Sequence, residues 1–303
     1  MLQSEIIKNI QEYKKEKDVI ILAHYYQPLE IQDMADFVGD SFDLSVKARD
    51  AKESTIVFCG VKFMAETAKI LSPTKTVLFP NPQAICPMAQ MISPEEIIRM
   101  KQVYPDAEVV CYVNTTAEVK AVSDVCVTSS SAVNIVNKLS AQKIIFVPDK
   151  NLAHFVHRFT DKKIIIGEGY RYVHNKFQEI TILKSKEKYP NAKVLVHPEC
   201  PPEVIDLADE ALSTSGMINY IEKSDHDLFI IGTENGLIEY LQRAYPEKTF
   251  FSAGQPSFCI NMKKIRLGDL HQALYKKRYE IFLSEDIIEK ASKSLQRMIE
   301  LNS

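Results

Sequence analysis

No apolar run in this sequence of 303 residues approaches the roughly 18 needed to cross a bilayer, so nothing in it reads as a membrane span. The opening segment MLQSEIIKNIQEYKKEKD lacks the apolar core of a secretory signal and reads as a charged helix. There is no basic block and no long acidic tail, and the formal net charge is only -3, so the electrostatic footprint of a nucleic-acid partner is missing. Neither GxGxxG nor GxxxxGKS/T occurs, which removes both standard loops for cradling a nucleotide. The six cysteines form no tight framework, and a reducing compartment with thiols as core filler or metal ligands suits them better than disulfides. These absences leave a cytoplasmic protein acting on small molecules as the expectation. With 46% hydrophobic residues, the chain can fill the cores of two or three small domains.

What is present is a pattern written three times: HYYQPLEIQDMADFVGDS from His24, YVNTTAEVKAVSDVCVTS from Tyr112 and HPECPPEVIDLADEALST from His197. With Asp36, Asp124 and Asp209 as anchors, the polar columns align. Twelve residues earlier stand His24, Tyr112 and His197; ten earlier, Tyr26, Asn114 and Glu199; six earlier, Glu30, Glu118 and Glu203. Five residues after each anchor comes a hydroxyl: Ser41, Ser129 and Thr214. Four columns in register, each after an apolar run, predict a triplicated unit near 85 residues long.

The runs VIILA, EVVCYV and AKVLV lack alternation and read as buried parallel strands. The segments behind them, LEIQDMADFVG, AEVKAVSDV and PPEVIDLADEAL, have helical periodicity. A strand feeding a helix puts His24, Tyr26, Asn114, His197 and Glu199 at the strands' carboxyl ends, where open α/β sheets carry their sites. Further apolar runs, TIVFCG with TVLF, KIIFVPD with KIIII, and DLFIIGT with TFFSA, complete each unit. The expected fold is therefore α/β: three homologous small domains, each a parallel sheet with flanking helices, around a pseudo-threefold axis. The expected boundaries are 18–85, with a helix 1–17 alongside, then 86–170 and 171–258, leaving 259–303 for a loop and terminal helices.

The closing loops PQAICPMA, GEGYRYVH and GQPSFCINM align Cys86, Arg171 and Cys259. Threefold symmetry leads one to expect three thiols converging on the axis, a donor set suited to a soft metal or an iron–sulfur cluster with one open iron. Arg171 breaks that set. Cys200, beside the mouth residues His197 and Glu199, could reach the centre as a substitute ligand or be one more buried thiol, whereas Cys59, Cys111 and Cys126 lie in apolar segments and read as buried thiols. His24 and His197 can exchange protons, Glu199 can serve as a base, and Tyr26 and Tyr112 offer hydroxyls to a developing oxyanion. Ser41, Ser129, Ser213 and Thr214 near helix starts would hold carboxylate or phosphate. His174 completes the mouth. Lys263 and Lys264 would attract an anionic substrate or only solvate a loop end.

The stretches AHYYQ with GDS, FCGVKFMAETAKIL, CPMA, YVNTTAEVKA, VTSSSAV, PDKNLA, HPEC, STSGM, IGTENGL and CINMKK span nearly the whole chain, and in them it resembles the quinolinate synthases. The resemblance implies a transferase of NAD biosynthesis, built as three α/β domains around a central [4Fe-4S] cluster. Its substrates would be iminoaspartate, supplied by an aspartate-oxidising enzyme, and dihydroxyacetone phosphate, and its products quinolinate, phosphate and water. By the same resemblance Cys86 and Cys259 would be cluster ligands and Glu199 would move protons, with Tyr26 and His197 assisting isomerisation and cyclisation. Tyr112 and His174 would join the catalytic group; His24, Ser41, Asn114, Ser129, Ser213 and Thr214 would contact substrate. The chain departs from the family's G-H-C-x-V-H pattern, reading GYRYVH, and has Ser131 where asparagine is common. Arginine has no lone pair for iron. The departure allows a cluster with Cys200 as a replacement ligand, a lost or labile cluster, a repurposed cavity in which Arg171 binds another small dianion, or a metabolite-binding module without turnover.

Overall fold

A computed structural model describes residues 2–302. Three four-stranded sheets follow one another along the chain. The first is built from β1 (Val19–His24), β2 (Phe37–Gly39), β3 (Thr55–Cys59) and β4 (Thr76–Leu78). The second holds β5 (Glu108–Tyr112), β6 (Val125–Val127), β7 (Lys143–Val147) and β8 (Lys163–Ile166). The third holds β9 (Lys193–Val196), β10 (Glu210–Ala211), β11 (Leu228–Gly232) and β12 (Thr249–Ser252). All three sheets have the same order, second strand, first, third, fourth, and every pairing is parallel. The threefold α/β architecture read from the repeat is the architecture of the protein.

One strand per unit escaped the sequence reading. The segments taken for helices hold only a short helical stretch, Leu29–Gln32, Ala117–Ala121 or Pro202–Ile205, and the chain then turns into β2, β6 or β10. The anchor aspartates are the cause. Asp36, Asp124 and Asp209 each accept a hydrogen bond on the side chain from a main-strand amide, Ile21, Val109 and Val194, at 2.8, 2.7 and 2.8 Å. Each returns its own amide to the carbonyl of that same residue, at 2.8, 3.0 and 2.9 Å. A two-pronged clamp ends the helix and starts the edge strand at one fixed register.

The glycine closing β11 has a packing reason. A Cβ on Gly232 would lie 2.8 Å from Cγ1 of Val196 on the neighbouring strand, so only a residue without one lets β11 and β9 pair at their carboxyl ends. The terminal helix Glu285–Asn302 packs on Ala117–Ala121, Ala132–Lys138 and β6 of the second unit and on Lys62–Leu71 of the first. Its buried face is Ala291, Ser294, Leu295, Met298 and Ile299, an i, i+3, i+4 stripe. Ser294 crosses the interface by donating to the carbonyl of Lys120 at 2.9 Å. Among the described residues no helix is long and apolar enough to cross a membrane.

Leu295 is fully buried in that stripe. Leu295→Ala should destabilise the protein by about 2–4 kcal/mol through lost burial and the cavity left behind. Chemical denaturation read by circular dichroism checks it, with the midpoint falling and the slope unchanged.

Candidate active site

The repeat's hydroxyl column meets in space. Ser41, Ser129 and Thr214, one from each unit, line a single small cavity together with His24, Tyr26, Tyr112, His197 and Arg171. Residues 173 positions apart, from Ser41 to Thr214, become neighbours because all three sheets point their strand ends inward. Thr214 opens the helix Thr214–Lys223, whose N-cap Ser213 accepts from the Gly216 amide at 3.2 Å. Ser213 is thus held by its own helix and is absent from the cavity lining. Ser129 does not start a helix; it precedes Ala132–Lys138 by a turn. In that turn Ser131 accepts from the Thr128 amide at 2.9 Å.

Two histidines are oriented by the same local device. The amide of Tyr26 donates to Nδ1 of His24 at 3.1 Å, and the amide of Glu199 donates to Nδ1 of His197 at 3.2 Å. A ring nitrogen that accepts is unprotonated, so Nε2 carries the proton in both. Burial pushes the pKa of both rings down, and Arg171 adds to it; His24 falls to about 3. Both are neutral N–H donors at physiological pH.

A continuous hydrogen-bond chain runs beneath them. His174 Nδ1 makes a short contact with Glu199 Oε2, and His174 Nε2 meets Thr233 Oγ1 at 2.8 Å. Thr233 Oγ1 meets the Tyr26 hydroxyl at 2.8 Å, which meets Thr214 Oγ1 at 3.0 Å. The direction is assigned by its end: an ionised carboxylate only accepts. His174 therefore donates through Nδ1 and accepts through Nε2, Thr233 donates to it, Tyr26 to Thr233, and Thr214 to Tyr26. The His174 and His197 rings stack 4.2 Å apart and 4° from parallel.

Burial raises the Glu199 carboxyl, but Arg171 with His197 and His174 more than reverses this and leaves it well below the usual carboxylate range. Because burial also keeps both imidazoles from protonating, Arg171 supplies the positive charge and His174 a hydrogen bond. Arg171 Nη1 lies 3.6 Å from Glu199 Oε1, and its guanidinium carbon is 5.6 Å from the Tyr26 ring centroid. Tyr112 is buried beside the same carboxylate, and both burial and that charge push its phenol up.

Cys86 and Cys259 converge with Arg171. Both are buried, and the two thiols and the guanidinium act on one another electrostatically. Burial pushes the Cys86 thiol up to about 11 even so. Cys200 is not in this group: it sits among Val194, Val196 and Ile230 in the core of the third unit, its Sγ 3.5 Å from the Gly232 carbonyl. The sequence placed it beside mouth residues, but the turn from His197 to Cys200 faces it back into the sheet. Lys263 pairs with Glu234 at 3.4 Å and Lys264 donates to the Gln83 carbonyl, so both serve the loop. His174, His197 and Glu199 present three donor atoms within 4.8 Å of one another, a group that could hold a metal ion.

Several contributors come from strand ends to which the sequence reading gave no role. Thr233, one past β11, joins Tyr26 to His174. Asn151 holds the Glu199 carbonyl at 3.0 Å, and Asp149 caps its helix by accepting from Leu152 at 2.9 Å. The second half of each unit repeats too, and its third-strand ends (Gly60, Pro148–Asp149, Thr233–Glu234) carried the signal. Asn114 is fully buried with neither amide atom bonded, as is Glu199 Oε1.

Asp40 caps Ser41–Asp50, accepting from Phe42 and Asp43 at 2.9 and 3.1 Å. Burial, with Asp43 beside it, pushes its carboxyl from near 3.8 up to about 6. A raised carboxyl costs stability above its folded pKa and nothing below its unfolded one. Asp40→Asn, which keeps the capping oxygen, should therefore stabilise by about 1–2 kcal/mol at pH 8. The gain should vanish by pH 4 in paired melting curves.

Residues 8–300 match the family described as quinolinate synthetase A protein. The chain is 49% identical to the quinolinate synthase of Clostridioides difficile (strain 630), covering 99% of each chain. It is 48% identical to that of Thermococcus onnurineus (strain NA1), covering all of both, and 47% identical to that of Methanocaldococcus jannaschii, covering 99% of this chain and 100% of the other. The triplicated fold, the converging strand ends and this end-to-end similarity make the chain a member of the quinolinate synthase family, with arginine at one place where the family pattern has cysteine.

Proposed function

We propose that the chain acts as a quinolinate synthase, condensing iminoaspartate with dihydroxyacetone phosphate to give quinolinate, phosphate and water. The observation that carries this reading is the hydrogen-bond chain that joins buried Glu199 to Tyr26 and Thr214, two residues of a cavity whose hydroxyls come from all three units.

Joining these two substrates and closing a pyridine ring requires removing protons from carbon and delivering protons to departing oxygens. A carboxylate held ionised at neutral pH is suited to the first task. The chain of hydrogen bonds, with every donor pointing toward Glu199, would pass a proton from the Thr214 end through Tyr26, Thr233 and His174 to Glu199 Oε2. Glu199, its Oε1 free of any hydrogen bond, would hand the proton it has gained to a leaving hydroxyl. His24 and His197 act as fixed N–H donors to carboxylate or phosphate oxygens, and Ser41, Ser129 and Thr214 add hydroxyl donors. The orphaned Asn114 amide offers a donor and an acceptor to the same ligand. Tyr112, protonated and beside Glu199, is placed to donate to a developing oxyanion.

The resemblance carries a [4Fe-4S] cluster on three cysteines, which would supply Lewis-acid chemistry. The donor set does not fit that group: Cys86 and Cys259 provide two thiols, Arg171 holds the third place without a lone pair, and Cys200 faces the core. The steps above therefore rest on the chain's own side chains.

Glu199→Gln should lower quinolinate release at least 100-fold, the usual worth of a general base, with the fold unchanged. Thr233→Val, which interrupts the relay, should cost about tenfold in kcat with little change in KM. Anaerobic turnover with both substrates checks this; a fully active Glu199→Gln protein would sink the reading.

A further inference from the structure

Arg171 stands where loop symmetry with Cys86 and Cys259 calls for a third thiol, and its surroundings are those of a binding group. Its side chain is only 6% exposed, yet among the described residues the guanidinium makes no hydrogen bond. Its ion pair with Glu199 Oε1 is at 3.6 Å, beyond hydrogen-bond length. That oxygen is itself unbonded, and so are both amide atoms of Asn114. Five N–H donors in a planar fork are therefore committed to no acceptor, at a cavity rimmed by hydroxyls from three units. The Tyr26 ring, 5.6 Å from the guanidinium carbon, gives the fork a face to rest on.

We infer that Arg171 is a substrate-anchoring residue in this chain: its guanidinium takes a carboxylate of a small dicarboxylate through paired N–H donors, in the place where a third thiolate would hold a cluster. The inference rests on the proposed reaction for its choice of ligand, since iminoaspartate and quinolinate are both dicarboxylates. The alternative, that Arg171 only neutralises Glu199, leaves most of its donors without a purpose. Buried polar groups are nearly always paired, so a guanidinium that lines the cavity without a hydrogen bond points to a ligand that pairs it. The ligand carboxylate and Glu199 then compete for one cation. When the ligand wins, Glu199 loses its strongest attraction and becomes the better base.

The test is calorimetric titration of chelator-treated protein with quinolinate and with malate, a plain dicarboxylate. The wild type should bind both, Arg171→Gln at least 30-fold more weakly, and Arg171→Lys, which keeps the charge but not the fork, about 3- to 10-fold more weakly. If Arg171→Gln does not fold, Arg171→Lys against the wild type carries the comparison. In parallel, anaerobic reconstitution with iron and sulfide should leave the wild type without a cluster absorption band, whereas Arg171→Cys should take up about four irons. Equal dicarboxylate affinity in wild type and either variant overturns the inference, as does a wild type that loads a full cluster. Arginine-dependent binding without turnover would instead count against the catalytic reading and leave this one standing.

Discussion

The aspartate clamp repeated at Asp36, Asp124 and Asp209 is the constraint on which the site depends. Each clamp fixes where a short helix stops and an edge strand begins, by tying one side-chain oxygen and one amide to a single residue of the main strand. The residues on either side are thereby set in space: those before the clamp at the mouth of the main strand, and the hydroxyl five residues after it at the end of the edge strand. Because the clamp has the same geometry in all three units, one local rule applied three times brings Ser41, Ser129 and Thr214 to one cavity. Packing of the units on one another then closes the cavity, with Thr214 of the third unit bonded to Tyr26 of the first at 3.0 Å.

Within that frame, burial does most of the electrostatic tuning. His24, His174 and His197 are kept uncharged, Tyr26 and Tyr112 are kept protonated, and the Cys86 thiol is disfavoured as thiolate. Glu199 is the exception, ionised despite complete burial because Arg171 is within ion-pair distance. A buried carboxylate without that cation would sit among neutral groups and take up a proton. The charge at position 171 and the basicity at position 199 are thus one design choice rather than two.

Much of this was legible in the sequence. Unalternating apolar runs gave the main strands, and the first and last polar columns, with Tyr26, gave residues that share the cavity, whereas the column of Glu30, Glu118 and Glu203 does not reach it. The edge strands were not legible: two or three residues such as Val125–Val127 continue the apolar phase of the helix before them, and only the aspartate's pair of hydrogen bonds to the main strand breaks it. Thr233 was missed for a related reason, since its half of the unit ends in GT rather than in histidine or glutamate and looked like a turn. The place of Cys200 was also beyond sequence reading. Its neighbour His197 lines the cavity and Glu199 bonds to His174, but a tight turn between them and the next helix reverses the direction of one side chain.

The backbone amides that occupy Nδ1 of His24 and His197 have a consequence for how the cavity's field responds to acidity. A ring whose second nitrogen is already engaged cannot pass a proton from one side to the other, and burial keeps it from gaining one. These two imidazoles therefore behave as permanent dipoles, much like peptide groups, and not as titrating switches. These two rings therefore add no response to acidity through the neutral range, and the group in the cavity wall that does respond there is the Asp40 carboxyl, raised to about 6.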